Sequence, residues 1–185
     1  MRNLLLNIAG HSIHQKGAKA FNGKFEHDYT RDLQKRVTKL ASELTLVGDT
    51  IKPKWVVVED CETLSLHQVI NSIGDKGRGI DIHFNNNNPA ASGTETIINE
   101  NTSQENKILA INISKAISDE LGIRNRGVKL ESESHLGVLG ILSKTKIPVI
   151  IIEVCFLNER DMNKYIGNED KVARAIVNEL NKTLI

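Results

Sequence analysis

Pro148-Val149-Ile150-Ile151-Ile152-Glu153-Val154 is the stretch on which the fold class turns. From Val149 to Ile152 every residue is β-branched, and no polar alternation leaves one face for water. A strand of that kind is covered on both sides, and such strands belong to the parallel sheets of layered α/β proteins. The strand predicted over Pro148 to Val154 therefore lies near the middle of its sheet. Glu153 breaks the apolar run near the strand's end. Taking a carboxylate out of water costs several kcal/mol unless a partner charge, hydrogen bonds or a metal compensates. Glu153 is accordingly read as a functional residue.

Outward from this strand, short β-like runs alternate with longer helical ones. Leu4 to Ala9, Trp55 to Val58, Ile80 to Phe84 and, more weakly, Gly93 to Ile98 read as further strands, with Lys76-Gly77-Arg78-Gly79 as a glycine-rich turn before the third. Leu33, Val37, Leu40, Leu44 and Val47 recur at helical spacing and predict a helix over Tyr29 to Val47, stopped by Gly48. A short helix is expected over Ser65 to Ile73. Leu109, Ile113, Ala116 and Ile117 mark another over Ser103 to Leu121, with Gly122 as its stop. Val172, Ile176, Leu180 and Leu184 mark the last, about Glu169 to Leu184. The alternation predicts one α/β domain over residues 1–185, with a mostly parallel twisted sheet of about six strands flanked by helices.

The chain has 185 residues, with 24 Lys and Arg against 23 Asp and Glu and a net charge of +1. That length suits one sizeable core and is short for two. Mixed signs and a near-zero balance give no charge argument for nucleic acid or an anionic membrane, so no nucleic-acid partner is expected. Cys61 and Cys155 are far apart and belong to no C-x-x-C pair, so reduced thiols are expected. Leu4 to Leu6 is shorter than the ~7–15 apolar residues of a signal h-region, and no run reaches the ~18–20 of a spanning helix. The expectation is a cytoplasmic chain without a membrane segment, which something else must release if it works outside.

His11 follows the first strand, His83 sits near the end of the third, and Glu153 near the end of the Pro148 strand. In open, mostly parallel sheets ligands collect outside the carboxyl ends of the strands, where several loops face one crevice. Glu26, just before the first long helix, returns to the same rim. His11, Glu26 and His83 make a set of two imidazoles and one carboxylate, the donors that catalytic zinc takes while one position stays open. Glu153 is then the base. His27 competes with Glu26 for the third place, since Glu26 also suits a helix N-terminus. His14 is expected to face solvent or to lie behind the ligands, and His67 and His135 to be surface residues.

Six segments carry a family resemblance: Ile8-Ala9-Gly10-His11 with Gly17-Ala18; Phe25-Glu26; Ile80-Asp81-Ile82-His83-Phe84-Asn85; Ala91-Ser92-Gly93-Thr94-Glu95; Arg126-Gly127-Val128-Lys129; and Pro148 to Leu157. In this order they resemble the zinc-dependent N-acetylmuramoyl-L-alanine amidases of the amidase-3 type, over nearly the whole chain. The resemblance implies that His11, Glu26 and His83 hold one Zn²⁺ and that Glu153 acts on the attacking water. It implies cleavage of the amide between N-acetylmuramic acid and L-alanine in peptidoglycan. Joined to the absence of a signal segment, it suggests a phage or prophage endolysin held in the cytoplasm until a holin frees it. A cytoplasmic or truncated autolysin is the alternative.

Asn85, opening the polar run Asn85 to Asn88, and Arg126 are the candidate substrate-binding residues; the Asn run is read either as a substrate-facing loop or as plain turn chemistry, and Arg126 either as a solvated loop charge or as a partner for a substrate carboxylate. Two places depart from the family pattern. Ser12-Ile13-His14-Gln15-Lys16 stands where a second Gly and an Asp-Pro are usual, and Cys155 stands where Gly is common. In a regular strand residues 153 and 155 share a face, which sets the Cys155 thiol near Glu153. The thiol is read as packing, because no His–Cys pair accompanies it. Rival readings are a zinc peptidase cutting within the stem peptide, a non-catalytic wall-binding module, and a purely structural protein.

Overall fold

The structure is a computed structural model that describes residues 4–45, 54–58, 64–86, 90–134 and 137–182. Val47, Gly48, Cys61, Asn87, Asn88, His135 and Leu184 lie outside the described residues. In chain order the elements are β1 (Leu4–Ala9), α1 (Glu26–Thr45), β2 (Lys54–Val58), α2 (Leu66–Ile73), β3 (Gly77–Asn85) and β4 (Thr94–Ile98). There follow α3 (Gln104–Leu121), β5 (Asn125–Leu130), α4 (Gly140–Ser143), β6 (Val149–Phe156), α5 (Glu159–Tyr165) and α6 (Glu169–Lys182).

The strands make one six-stranded sheet in the order β2-β1-β3-β6-β4-β5. β6 is buried along its whole length between β3 and β4, as the apolar run Val149 to Ile152 requires. β1, β2, β3 and β6 are parallel, whereas β4 pairs antiparallel with β6 and carries β5 parallel beside it. The starts of β4 and β5 therefore lie at the carboxyl ends of the other four strands. One face buries Ile80, Ile82, Ile150, Ile152 and Val154 against α1, α3, α5 and α6. The opposite face buries Leu6, Ile8, Ile97, Val149 and Ile151 beneath the smaller α2 and α4. Helices thus cover both sides. Among the described residues no helix is long and apolar enough to cross a membrane.

Where expectation and structure part, the cause is local. Gly77 to Gly79, predicted as a turn, belong to β3: a Cβ at Gly77 would stand 2.1 Å from the Leu4 carbonyl oxygen, so the glycine serves close approach of β1. β5 escapes a hydrophobic reading because Asn125-Arg126-Gly127 and Lys129 fill much of an exposed or half-buried edge strand. α4 and α5 are too short to show a helical period.

Two strand irregularities lie next to each other. Between β3 and β6 the register steps from His83↔Glu153 to Asn85↔Phe156, one residue longer on β6. Between β4 and β5 it steps from Thr94↔Asn125 to Glu95↔Gly127, one residue longer on β5. Bulges of this kind re-aim side chains.

α1 is fixed to the sheet by buried polar contacts. Asn7 Nδ2 donates to the Gln34 carbonyl at 3.0 Å and to Thr38 Oγ1 at 2.9 Å, and Gln34 Nε2 donates to the Asn7 carbonyl at 2.8 Å. Thr30 Oγ1 donates to the Gly10 carbonyl at 2.7 Å, so the start of the helix grips the end of β1. α3 has its predicted ends: the Ser103 side chain accepts from the Asn106 N–H, and Gly122 closes it at φ 60. Ser103→Ala is expected to lower stability by about 1 kcal/mol, read from denaturant unfolding. An unchanged midpoint would show that the cap contributes nothing.

Candidate metal centre and active site

His11 is the one non-glycine residue with positive φ among the described residues, at 66°. Histidine tolerates this region better than most residues, and the turn carries its ring back over α1. There His11 Nε2 lies 2.9 Å from Glu26 Oε2. Glu26 opens α1 and is buried. Its Oε1 accepts the Phe84 N–H at 3.0 Å and lies 3.2 Å from His83 Nδ1. The other ring nitrogen, His83 Nε2, lies 3.1 Å from Asp81 Oδ2. One ligand atom from each of His11, Glu26 and His83 falls within 4.8 Å of the others.

Two glycines make room for this cluster. A Cβ at Gly10 would stand 2.4 Å from the His83 ring, and one at Gly17 2.5 Å from His11 and 2.8 Å from Glu26 Oε2. The donors suit a small divalent cation: two imidazoles and one carboxylate converge, and a carboxylate holds the outer nitrogen of His83, as in zinc sites. Burial pushes the Glu26 carboxyl up, but hydrogen bonds from His11 and His83, the charge on His83 and the Phe84 N–H outweigh it and hold the carboxyl at about 2. Burial pushes the His83 imidazole down, yet the charge and hydrogen bond of Asp81, with Glu26 and Glu153, raise it well above its ordinary value. A ligating imidazole gives up that proton, so a cation and a proton compete for His83.

Glu153 stands beside His83 in the β3–β6 register. It is 5% exposed, and its Oε2 has no hydrogen-bond partner among the described residues. Burial pushes the carboxyl up to about 7, against the opposing charge of His83 and with help from Glu26, Glu95 and Asp81. A carboxyl in that range both takes and returns a proton near neutrality.

Across the next strand lies Glu95, paired with Glu153 in the β4–β6 register. Glu95 Oε1 accepts Asn85 Nδ2 and its Oε2 accepts Arg126 Nε, each at 2.8 Å. The Arg126 guanidinium lies 5.1 Å from the centroid of the Phe156 ring. These groups and the His11–Glu26–His83 cluster line one cleft of about 710 Å³.

The geometry brings His11, Glu26, His83, Glu153, Asn85 and Arg126 to this one cleft. Glu26, and not its neighbour His27, meets both imidazoles. His14 is exposed, and His67 is half-buried with Nδ1 3.1 Å from Ser65 Oγ. Arg126 is no solvated loop charge: it lies in β5 with Glu95 as its ion-pair partner. Cys155 corrects the regular-strand expectation. The β6 bulge sends Val154 and Cys155 both into the core under α1, α3, α5 and α6, where Cys155 Sγ lies 3.9 Å from Met162 Sδ. Burial pushes its thiol up, away from the reactive thiolate, in accord with packing. Asp81 and Glu95 join the site from outside the set that sequence reasoning selects. The i, i+2 spacing of Asp81 and His83 on a strand is a signal that places them on one face; Glu95 becomes visible only once β4 is known to run backwards.

The family model described as N-acetylmuramoyl-L-alanine amidase, Amidase_3, matches residues 7–182. A relative, uncharacterized protein YqiI of Bacillus subtilis (strain 168), is 30% identical over 177 residues, covering 92% of this chain and 79% of its own. The fold is similar to that of an N-acetylmuramoyl-L-alanine amidase from Clostridium difficile 630, at TM-score 0.78 and 24% identity, over 98% of this chain and 96% of that one. It is also similar to the catalytic domain of the CD27L endolysin targeting Clostridia difficile, at TM-score 0.70 and 21% identity, over 100% and 99%. With the family model spanning all but the ends of its sequence, the chain belongs to the Amidase_3 family of N-acetylmuramoyl-L-alanine amidases.

Proposed function

We propose that this amidase is a zinc hydrolase of peptidoglycan, which cuts the amide between N-acetylmuramic acid and L-alanine with His11, Glu26 and His83 as metal ligands and Glu153 as general base. The observation that carries this reading is the convergence of those three donors beside a buried carboxylate oxygen that lacks a partner among the described residues. When bound, zinc supplies Lewis acidity that activates a water and polarises the scissile carbonyl. Asp81 holds the His83 ring through Nε2. Glu153 takes the proton of the attacking water at its carboxylate and returns it to the nitrogen of the leaving amine. With Zn²⁺ held there, two neutral imidazoles and one carboxylate would leave a net +1 to favour the developing oxyanion.

The purified protein is expected to carry about one zinc ion per chain, and chelation to abolish turnover on purified cell walls. Digestion is expected to release free amino groups without new reducing sugar, with L-alanine at the newly freed peptide ends by mass spectrometry. Metal-free preparations of full activity would exclude the zinc reading. Cuts within the stem peptide would make the protein a peptidase instead.

The finer role is a phage or prophage endolysin that waits in the cytoplasm for a holin. The CD27L endolysin catalytic domain has this fold, so the fold accommodates such a role. Expression inside a susceptible host is then expected to cause lysis only when the membrane is permeabilised; lysis without permeabilisation would count against it.

A further inference from the structure

Glu95 gives one carboxylate oxygen to Asn85 and the other to Arg126, and it is itself 7% exposed. The Arg126 side chain, by contrast, is 29% exposed and lines the cleft. Its bond to Glu95 uses Nε alone, so the outer N–H fork, for which no described residue is an acceptor, stays available. The Phe156 ring beneath the guanidinium restricts its swing. Phe156 and Arg126 reach this corner through separate irregularities, one on β6 and one on β5. A buried pair serving stability alone requires neither an exposed fork nor two bulges. Lys129, farther along β5, lines the same cleft and adds a second cation.

The distance along the sheet identifies what the corner takes. The register runs His83, Glu153, Glu95, Gly127 across β3, β6, β4 and β5. Glu153 is thus two strand spacings, roughly 9–10 Å, from the Arg126–Gly127 bulge. An extended peptide covers that length in about three residues.

We propose that Glu95 is a positioning residue, and that the corner it organises receives a free carboxylate on the second or third residue of the substrate's peptide arm. Planar forks grip carboxylates bidentately, and a fork already oriented by Glu95 and Phe156 loses little freedom in doing so. The inference rests on the muramoyl-peptide amidase reading above.

The test uses soluble muramoyl peptides that differ only in a free carboxylate or its carboxamide at the second or the third residue. The full chain is expected to prefer the carboxylate form at one of these positions by about ten- to hundredfold in kcat/KM, carried by KM. Glu95→Gln and Arg126→Met are expected to bring that ratio close to one. Arg126→Lys, which keeps the charge but not the fork, is expected to recover part of it. Arg126 is partly exposed, so Arg126→Met keeps the test open if Glu95→Gln fails to fold, and thermal melts identify that case. A wild type without preference at either position overturns the proposal, as does a folded Glu95→Gln that keeps it. A wild type inactive on every muramoyl peptide removes the amidase reading underneath, whereas activity without preference removes only the corner.

Discussion

Glu153→Gln is expected to lower kcat by about 10²–10⁴-fold while the fold and the metal content stay as they are. The glutamine fills nearly the same volume, so the cleft wall that it shares with Ile97 and Phe156 is undisturbed. What disappears is the carboxyl that the proposed mechanism places between the attacking water and the leaving nitrogen. Its Oε2 has no described partner, so no hydrogen-bond network collapses with it. A buried carboxylate that burial has pushed up to about 7 is a cost to the folded state once ionised. Stability and activity therefore move apart: the melting temperature does not fall although turnover nearly vanishes. Amine-release kinetics, metal analysis and a thermal melt on one preparation decide this. Wild-type rates would remove Glu153 from the reaction, and a zinc-free variant would make it a ligand.

Gly10→Ala is expected to cost nearly as much by another route. Its Cβ would stand 2.4 Å from the Cε1 and Nε2 atoms of His83, far inside van der Waals distance. The ring has to move, and it is held on one side by Glu26 and on the other by Asp81. Breaking either pairing spoils the donor geometry; displacing a ligand's support alone costs roughly 10–100-fold in metal affinity or activity, and displacing the ligand costs more. Gly10 is not among the positive-φ glycines, so the effect is one of space and not of backbone strain. Gly127 supplies the contrast, since it has φ 78 and open space around it. Gly127→Ala therefore meets only backbone strain, about 1–2 kcal/mol. Zinc stoichiometry below about one half in Gly10→Ala, beside full occupancy in wild type, is the expected result. Unchanged zinc would show that the ring has room to spare.

Much of the fold is legible in the sequence because buried parallel strands and amphipathic helices have strong periods. Val149 to Ile152 mark the centre of the sheet, and Ser103 and Gly122 the two ends of α3. The convergence of His11, Glu26 and His83 is legible through strand ends and through family resemblance, since the gaps between them carry no local signature. The direction of β4 is not legible: five residues, all buried, read the same whichever way the strand runs. With that direction hidden, the pairing of Glu95 with Glu153 is hidden too. The bulges are equally silent. Alternation assumes one residue per step, so it sets Cys155 beside Glu153, while an extra residue in β6 turns the thiol into the core.

The reversal of β4 and β5 divides the cleft's inheritance between two kinds of chain segment. His11, His83 and Glu153 come at or just beyond the exits of forward strands, whereas Glu95 and Arg126 come at the entrances of reversed ones. The segment that feeds β4 is moored to α5: Ser92 Oγ and the Gly93 N–H both donate to the buried Asp161 carboxylate, which also accepts the Phe156 N–H, and Asn158 Nδ2 donates to the Ala91 carbonyl. A graft that exchanges residues 90–93 and 123–127 between relatives therefore has to bring residues 158–161 with it, or the transplanted bank of the cleft loses its moorings.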